Sequence, residues 1–190
     1  MTEMFQLTTD RLILTAHTSS DTEKMNRWEN DVELLNLSDN QPDGREPESL
    51  EATRANIERA MHAAADTASI RYAIRKRDGA EFIGYGIIAH IDHYNQQCRL
   101  SVVIGEKQEW GKGFASEVLR AAIDYSFTTL GMNRIGAEIY AVNERSIRLF
   151  ERLGFQREGT VRESVLKNGV FIDEYVYGLL RREWDEKRLR

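Results

Sequence analysis

Gln108-Glu109-Trp110-Gly111-Lys112-Gly113-Phe114-Ala115 sets two glycines around a lysine, between an apolar strand-like run, Leu100 to Ile104, and an amphipathic helix-like run. Glycine at such a junction lets the backbone come close to a ligand. The N–H groups of the loop and of the first helical turn can then converge on an anion, and the helix dipole adds attraction for phosphate. The chemistry this favours is a cradle for a diphosphate, with Lys112 adding charge beside it. Two familiar cradles fail on spacing. A P-loop has four residues between its first glycine and Gly-Lys-Ser/Thr, whereas five separate Gly105 from Gly111 and Gly113 follows the lysine. A dinucleotide fingerprint would need a third glycine where Ser116 stands. What remains is Gln-x-x-Gly-x-Gly, a pattern that a tight strand-to-helix turn without a ligand can also use.

A second cluster follows in Asn143-Glu144-Arg145-Ser146-Ile147-Arg148-Leu149-Phe150-Glu151-Arg152-Leu153-Gly154-Phe155. Asn143 suits a helix N-cap and Gly154 its left-handed stop. The two motifs, in this order and with room for one helix and one strand between them, resemble those of the GNAT superfamily of N-acetyltransferases. The resemblance implies a single mixed α/β (α+β) domain over residues 1–190, a mostly antiparallel twisted sheet flanked by helices, with the fourth and fifth strands splayed apart. It implies acetyl-CoA as co-substrate and no metal. Its pyrophosphate would lie on the amides of Gln108, Gly111, Lys112, Gly113, Phe114 and Ala115. Its pantetheine arm and thioester would meet backbone groups of Val103 and Ile104 in the fourth strand, with Asn143, Ser146 and Phe150 alongside.

The implied reaction is direct attack of an amine on the thioester carbonyl, which needs positioning, stabilisation of the oxyanion and a leaving thiolate. The family often places a tyrosine near the thiol; Phe150 stands there and cannot donate a proton. A thiol with a reference pKa of about 8.5 leaves tolerably well near neutral pH without that help. Relatives often carry a glutamate early in the fifth strand, where this chain has Gly136. Glu138, two residues along, shares that face by the strand period of two and is the candidate general base. Tyr140 on the same face is the weaker candidate. A paired surface glutamate, with water taking the proton, is the alternative.

These residues need elements to hold them. Leu12 to Ala16 reads as a strand, and Ser20-x-x-Glu23 as a capping box opening a helix to about Trp28. Asn36 to Glu46 reads as a loop, and Pro47 as the first turn of a helix to Ala65 with Leu50, Ile57, Met61 and Ala64 on one face. Strands near Ile70 to Arg75 and Phe82 to Ile91 turn at Asp78-Gly79. Gly84 and Gly86 fit a bulge or a close neighbour. Val118, Leu119, Ala122, Ile123 and Phe127 give a helix ended by Gly131. Ile135 to Val142 is the fifth strand, and strands near Phe155 to Leu166 and Val170 to Leu180 turn at Asn168-Gly169. A lone Cys98 excludes an internal disulfide and suits a small core or edge residue. His90 and His93, three apart on a strand, would face opposite sides and make no metal pair.

Composition sets the remaining bounds. With 190 residues, 41% hydrophobic and 30% charged, the chain suits one domain with a sizeable core. A net charge of -5 gives no basic footprint for nucleic acid. No apolar run approaches the ~20 residues of a membrane span, and Met1-Thr2-Glu3-Met4 lacks the start of a signal peptide, so a cytoplasmic location is expected and no membrane partner. The tail, Glu158-Gly159-Thr160-Val161-Arg162-Glu163 with Asn168-Gly169, Asp173 and Tyr177 to Trp184, is similar to the RimJ/RimL type of ribosomal-protein N-terminal acetyltransferase, as are Thr9 to Leu14 and Trp28 to Asp31. The acceptor implied is an amine: a protein amino terminus, or alternatively a polyamine or an amine-bearing antibiotic. A homodimer is compatible with it. A non-catalytic acyl-CoA-binding module is the other reading, since Phe150 replaces the family's acid. Glu29, Asp31, Glu33, Asp39, Asp43 and Glu46 form an acidic run near the expected acceptor pocket, either a rim that attracts cations or a solvated face.

Overall fold

Alternating apolar and polar residues in the middle and tail of the chain pair as strands, and the intervening 3.6-period segments cover them. The computed structural model describes residues 5–38, 46–62 and 68–188. Its strands are β1 (Gln6–Thr8), β2 (Leu12–Thr15), β3 (Ile70–Lys76), β4 (Phe82–Asp92), β5 (Gln97–Ile104), β6 (Arg134–Tyr140), β7 (Gln156–Lys167) and β8 (Val170–Leu180). The helices are α1 (Thr22–Glu29), α2 (Val32–Ser38), α3 (Leu50–His62), α4 (Phe114–Thr128), α5 (Glu144–Leu153) and α6 (Arg181–Arg188). One eight-stranded sheet runs in the order β1-β2-β3-β4-β5-β6-β8-β7. Every neighbouring pair is antiparallel except β5 and β6. The expected fourth and fifth strands are therefore β5 and β6, because the short β1 shifts the count by one.

The parallel ladder between β5 and β6 consists of Gln97↔Arg134, Cys98↔Ile135 and Arg99↔Gly136, and goes no further. Beyond it β5 stays with β4 as far as Gly84↔Ile104, while β6 stays with β8 as far as Tyr140↔Glu174. Each strand follows its own outer neighbour, so the sheet opens between them. Close approach of β4 to its neighbours uses the two glycines the sequence flagged. A Cβ on Gly84 would stand 2.2 Å from the Val103 carbonyl oxygen, and one on Gly86 2.5 Å from the Tyr72 ring. The first neighbour is backbone and cannot swing away. Gly84→Ala is expected to destabilise the fold by about 1–3 kcal/mol, measured as a lower denaturant midpoint; an unchanged midpoint would mean that β5 yields freely.

One face of the sheet carries the main core. Val118, Leu119, Ala122, Ile123 and Phe127 of α4 are all buried, as their spacing predicts, against Cys98, Leu100, Ile135, Ala137 and Ile139. Each large side chain so buried contributes about 1.5–3 kcal/mol. The other face is covered near β3 and β4 by a smaller cluster of Trp28, Leu34, Ala73 and Phe82. Asp21, which is 1% exposed, reaches back to the Thr18 N–H at 2.9 Å and takes the Arg75 guanidinium at 2.7 Å, pinning the start of α1 to β3.

Several expectations are corrected. The capping pair that opens the α1 region is Thr18 with Asp21, not Ser20 with Glu23, because Asp21 is buried and held there by Arg75. Residues 36–38 belong to α2, whose start is capped by the Asp31 carboxylate on the Glu33 and Leu34 amides; residues 39–45 lie outside the described residues. In α3, Ile57 faces inward, but Leu50 and Met61 are exposed and Thr53 is buried instead; Ala64 lies outside the described residues. The partner face is polar: Thr53 donates to Glu29 at 2.7 Å and accepts from Asn26 at 3.0 Å. His90 sits with φ +50 at the bulge of β4 and His93 in the following turn, so the strand period does not govern them. The sequence patterns do not point to strand β1, helix α2 or helix α6. The last has a single large apolar residue, Trp184, which is buried and donates to Asp124 at 2.8 Å.

Candidate active site

The opening between β5 and β6 is a cleft of about 270 Å³. Its walls include Arg99, Ser101 and Val102 from β5, Ala137 to Tyr140 from β6, Asn143 at the N-cap of α5, Ser146 and Phe150 from α5, His90 from β4, Glu174 from β8 and Leu37 from α2. Five residues singled out in the sequence, Glu138, Tyr140, Asn143, Ser146 and Phe150, thus meet in one place. Val103 and Ile104 do not line it. Val103 packs with the Trp28 cluster, and the Ile104 carbonyl accepts the Trp110 indole N–H at 2.7 Å.

The loop after β5 has the geometry its glycines suggested. Lys107–Glu109 makes one 3-10 turn, Gly111 and Gly113 take φ of +78 and +84, and α4 starts at Phe114 with no side chain capping its N-terminus. Among the described residues no side chain is seen to accept from the first-turn N–H groups of α4, as an anion site requires. Nothing stands within 4 Å of a Cβ built on Gly111, and only the Arg11 guanidinium, at 3.6 Å, near one on Gly113. The loop is anchored from beneath by Glu109, 5% exposed, which takes Lys76 at 2.6 Å and Lys112 at 3.0 Å. The hydrogen bonds from Lys76 and then Lys112 hold the Glu109 carboxyl below its ordinary range. Lys112 therefore has an internal partner that the sequence did not announce. Arg11 closes the outer side, donating to the Lys112 carbonyl at 3.0 Å while paired with Glu117 at 2.6 Å. Gln108 turns inward, donating to Glu106 at 2.9 Å.

At the other wall, Asn143 caps α5 by accepting from the Ser146 amide at 3.1 Å and donates to the Leu37 carbonyl at 3.0 Å. One side chain thereby fixes both the start of α5 and the end of α2 at the cleft. Phe150 is 5% exposed, with its ring edge-on to Phe155 at 4.9 Å, and so serves the core and the cleft together. Cys98 lies beneath the sheet, where burial pushes its thiol up to about 11, which makes it a poor nucleophile at neutral pH.

Glu138 and Tyr140 share the face opposite Ile135, Ala137 and Ile139, as the period of two requires. Glu138 is held by Arg99 at 2.6 Å, both half-exposed. Glu174 is the direct cross-strand partner of Tyr140, which brings a second carboxylate onto the same face. Burial first and the charge of Glu138 second hold the Glu174 carboxyl above its ordinary value, against the Ser164 hydroxyl and Arg99. Neither Arg99 nor Glu174 stood out in the sequence. Glu174 is not among the tail residues that carried the resemblance, and the β6–β8 pairing is what brings it to the cleft. Three residues of the acidic run near α1 and α2 are engaged internally: Glu29 accepts from Thr53, and Asp31 and Glu33 both pair with Lys107 at 2.8 and 2.9 Å. Glu46 is exposed; Asp39 and Asp43 lie outside the described residues.

Comparison with known proteins agrees with this geometry. Residues 11–156 match the acetyltransferase (GNAT) domain family. The chain is 32% identical to the uncharacterized N-acetyltransferase YoaA of Bacillus subtilis over 92% of its own length and 96% of the relative's. It is 34% identical to the [ribosomal protein uS5]-alanine N-acetyltransferase of Escherichia coli over 58% of this chain and 57% of that one. With the spermidine N(1)-acetyltransferase of Vibrio cholerae it shares 29% over 57% of this chain and 61% of that one. The alignments to these two relatives with named acceptors thus span less than two thirds of either. A crystal structure bearing the name Probable acetyltransferase superposes with a TM-score of 0.82 at 25% identity, over 95% of this chain and 99% of the other. Among the described residues no helix is long and apolar enough to cross a membrane, and no group of three or more His, Cys, Asp or Glu could hold a metal ion. The chain belongs to the GNAT acetyltransferase family and is an acyl-CoA-dependent N-acetyltransferase of that type.

Proposed function

We propose that this protein transfers the acetyl group of acetyl-CoA to the α-amine of a protein amino terminus, in the cytoplasm, by direct attack in the cleft between β5 and β6. The amides of Gly111 to Ala115 at the start of α4 receive the pyrophosphate. The pantetheine arm follows the open edge of β5 past Asn143 and Ser146 into the cleft, with Phe150 bordering the thiol. The amine nitrogen attacks the thioester carbonyl, the C–S bond breaks, and the thiolate leaves without a protein proton donor.

The observation that carries the choice of acceptor is the charge of the cleft. Glu138 and Glu174 face Arg99 there, so the three groups sum to one negative charge. One ammonium group balances that; a polyamine brings several charges, and of the nearby acidic residues Asp31 and Glu33 are already paired with Lys107 and Glu29 with Thr53. The similarity to the E. coli uS5-alanine enzyme supports the same reading. The test is competition: acetyl-CoA with a peptide amide beginning with alanine and with spermidine, each alone and then mixed, with thiol release and product mass as readouts. The peptide is expected to give the higher kcat/KM by tenfold or more. Preference for spermidine would replace the acceptor while leaving the acetyl transfer in place.

A further inference from the structure

We propose that Glu174 of β8 is the general base of this site, and that Glu138, clamped by Arg99, is the fixed anion that holds the incoming ammonium. The inference rests on the acetyl transfer proposed above and assigns its proton. Two carboxylates on one face of a cleft can divide the work of binding and proton transfer when their surroundings differ. Here they differ plainly. Glu138 has a guanidinium 2.6 Å from one oxygen, and protonating it would break that ion pair. Among the described residues Glu174 has no such partner; the Ser164 hydroxyl lies 3.4 Å away, at the outer limit of a hydrogen bond.

The other charged and titratable groups around Glu174 leave its role open to it. Arg99, from β5, is engaged by Glu138. His90, from the β4 bulge, lines the same cleft. Tyr140 is the cross-strand partner of Glu174, and Lys167 of β7 lies over the Tyr140 ring at 5.8 Å and donates to the Leu35 carbonyl. Burial and the neighbouring Glu138 raise the proton affinity of Glu174, which brings it nearer to that of a useful base at neutral pH.

The proton balance is simple. The ammonium gives one proton to Glu174, and the freed nitrogen forms a bond to the carbonyl carbon. The C–S bond then breaks with its electron pair on sulfur, the second nitrogen proton ends on the thiol, and Glu174 returns its proton to water. Nothing beyond acetyl-CoA, the amine and water is consumed.

The experiment compares pH–rate profiles of the parent, Glu174→Gln and Glu138→Gln with acetyl-CoA and whichever of the alanine peptide and spermidine the parent acetylates faster. Circular dichroism and calorimetric acetyl-CoA affinity serve as controls for folding. Glu174→Gln is expected to bind acetyl-CoA as the parent does, to lose ~10²- to 10⁴-fold in kcat at neutral pH, and to recover as rising pH deprotonates the free amine. Glu138→Gln is expected to act mainly through a higher KM for the amine, and to move the acidic limb of the profile to lower pH, because Glu174 loses the neighbouring negative charge. A Glu174→Gln profile that overlays the parent's, or the two variants exchanging these behaviours, overturns the assignment. A parent that releases thiol at the uncatalysed rate with both amines instead overturns the acetyl transfer on which it rests.

Discussion

Gly113→Val is expected to lower acetyl-CoA affinity by at least about 100-fold while the protein stays folded. Gly113 holds φ +84 immediately before α4, at the point where the proposed site brings the backbone against the pyrophosphate. A β-branched residue resists that conformation, at a cost of roughly 1–2 kcal/mol, and its methyl groups would stand where the proposed site needs a phosphate oxygen to approach. Losing two hydrogen bonds to a charged group, at about 1.5–3 kcal/mol each, gives an effect of that size or larger. The fold has room for the change, since among the described residues the nearest atom to the new Cβ is in the Arg11 guanidinium at 3.6 Å, an ordinary van der Waals distance. Isothermal titration calorimetry beside a thermal melt separates the two effects. A folded variant with the parent's affinity would remove the loop from the binding site.

Asp21→Asn is expected to destabilise the protein by about 3–5 kcal/mol, the usual result of leaving one side of a buried ion pair without the other. At this chain length that corresponds to roughly 10 °C or more in Tm. Asp21 is buried between Arg75, His17 and the Thr18 amide. Burial pushes its carboxyl up, but the neighbouring His17 and the hydrogen bonds from Arg75 and Thr18 together outweigh burial and hold the group below its ordinary 3.8. A carboxylate with a depressed folded-state pKa contributes stability that is present above its unfolded pKa and lost as pH falls through the folded one. The difference between parent and variant should accordingly be full at pH 5 and above, and should shrink below pH 4. Urea unfolding at a series of pH values reads it directly; a difference that persists undiminished at pH 2 would mean that the damage is steric rather than electrostatic.

How much of this was legible in the chain depended on whether the signal was local. The loop glycines, the Asn143 cap and the α4 stripe from Val118 to Phe127 each act within a few residues, and each stands where the sequence placed it. The splay was reached through family resemblance and is seen as a parallel ladder ending at Arg99↔Gly136. What the sequence could not show is pairing over long separations. Glu138 finds Arg99, Glu109 finds Lys76, and Glu174 comes to the cleft through β6. Helix α6 failed for a related reason: its run of charges has no apolar period, and Trp184 docking on Asp124 holds it in place. In α3 the apolar period misled, since the partner surface on α1 is built from Asn26 and Glu29 and selects Thr53 over Leu50.

The central claim, direct acetyl transfer in the β5–β6 cleft, is tested most directly by rapid-mixing measurement of thiol release from acetyl-CoA, with and without amine. The account predicts release that depends on amine from the first turnover, with product carrying the acetyl group and no burst when the amine is left out. Release at the uncatalysed rate for every amine tried, while acetyl-CoA still binds, would contradict it in favour of an acyl-CoA-binding module; an amine-independent burst of one thiol per chain would contradict direct attack.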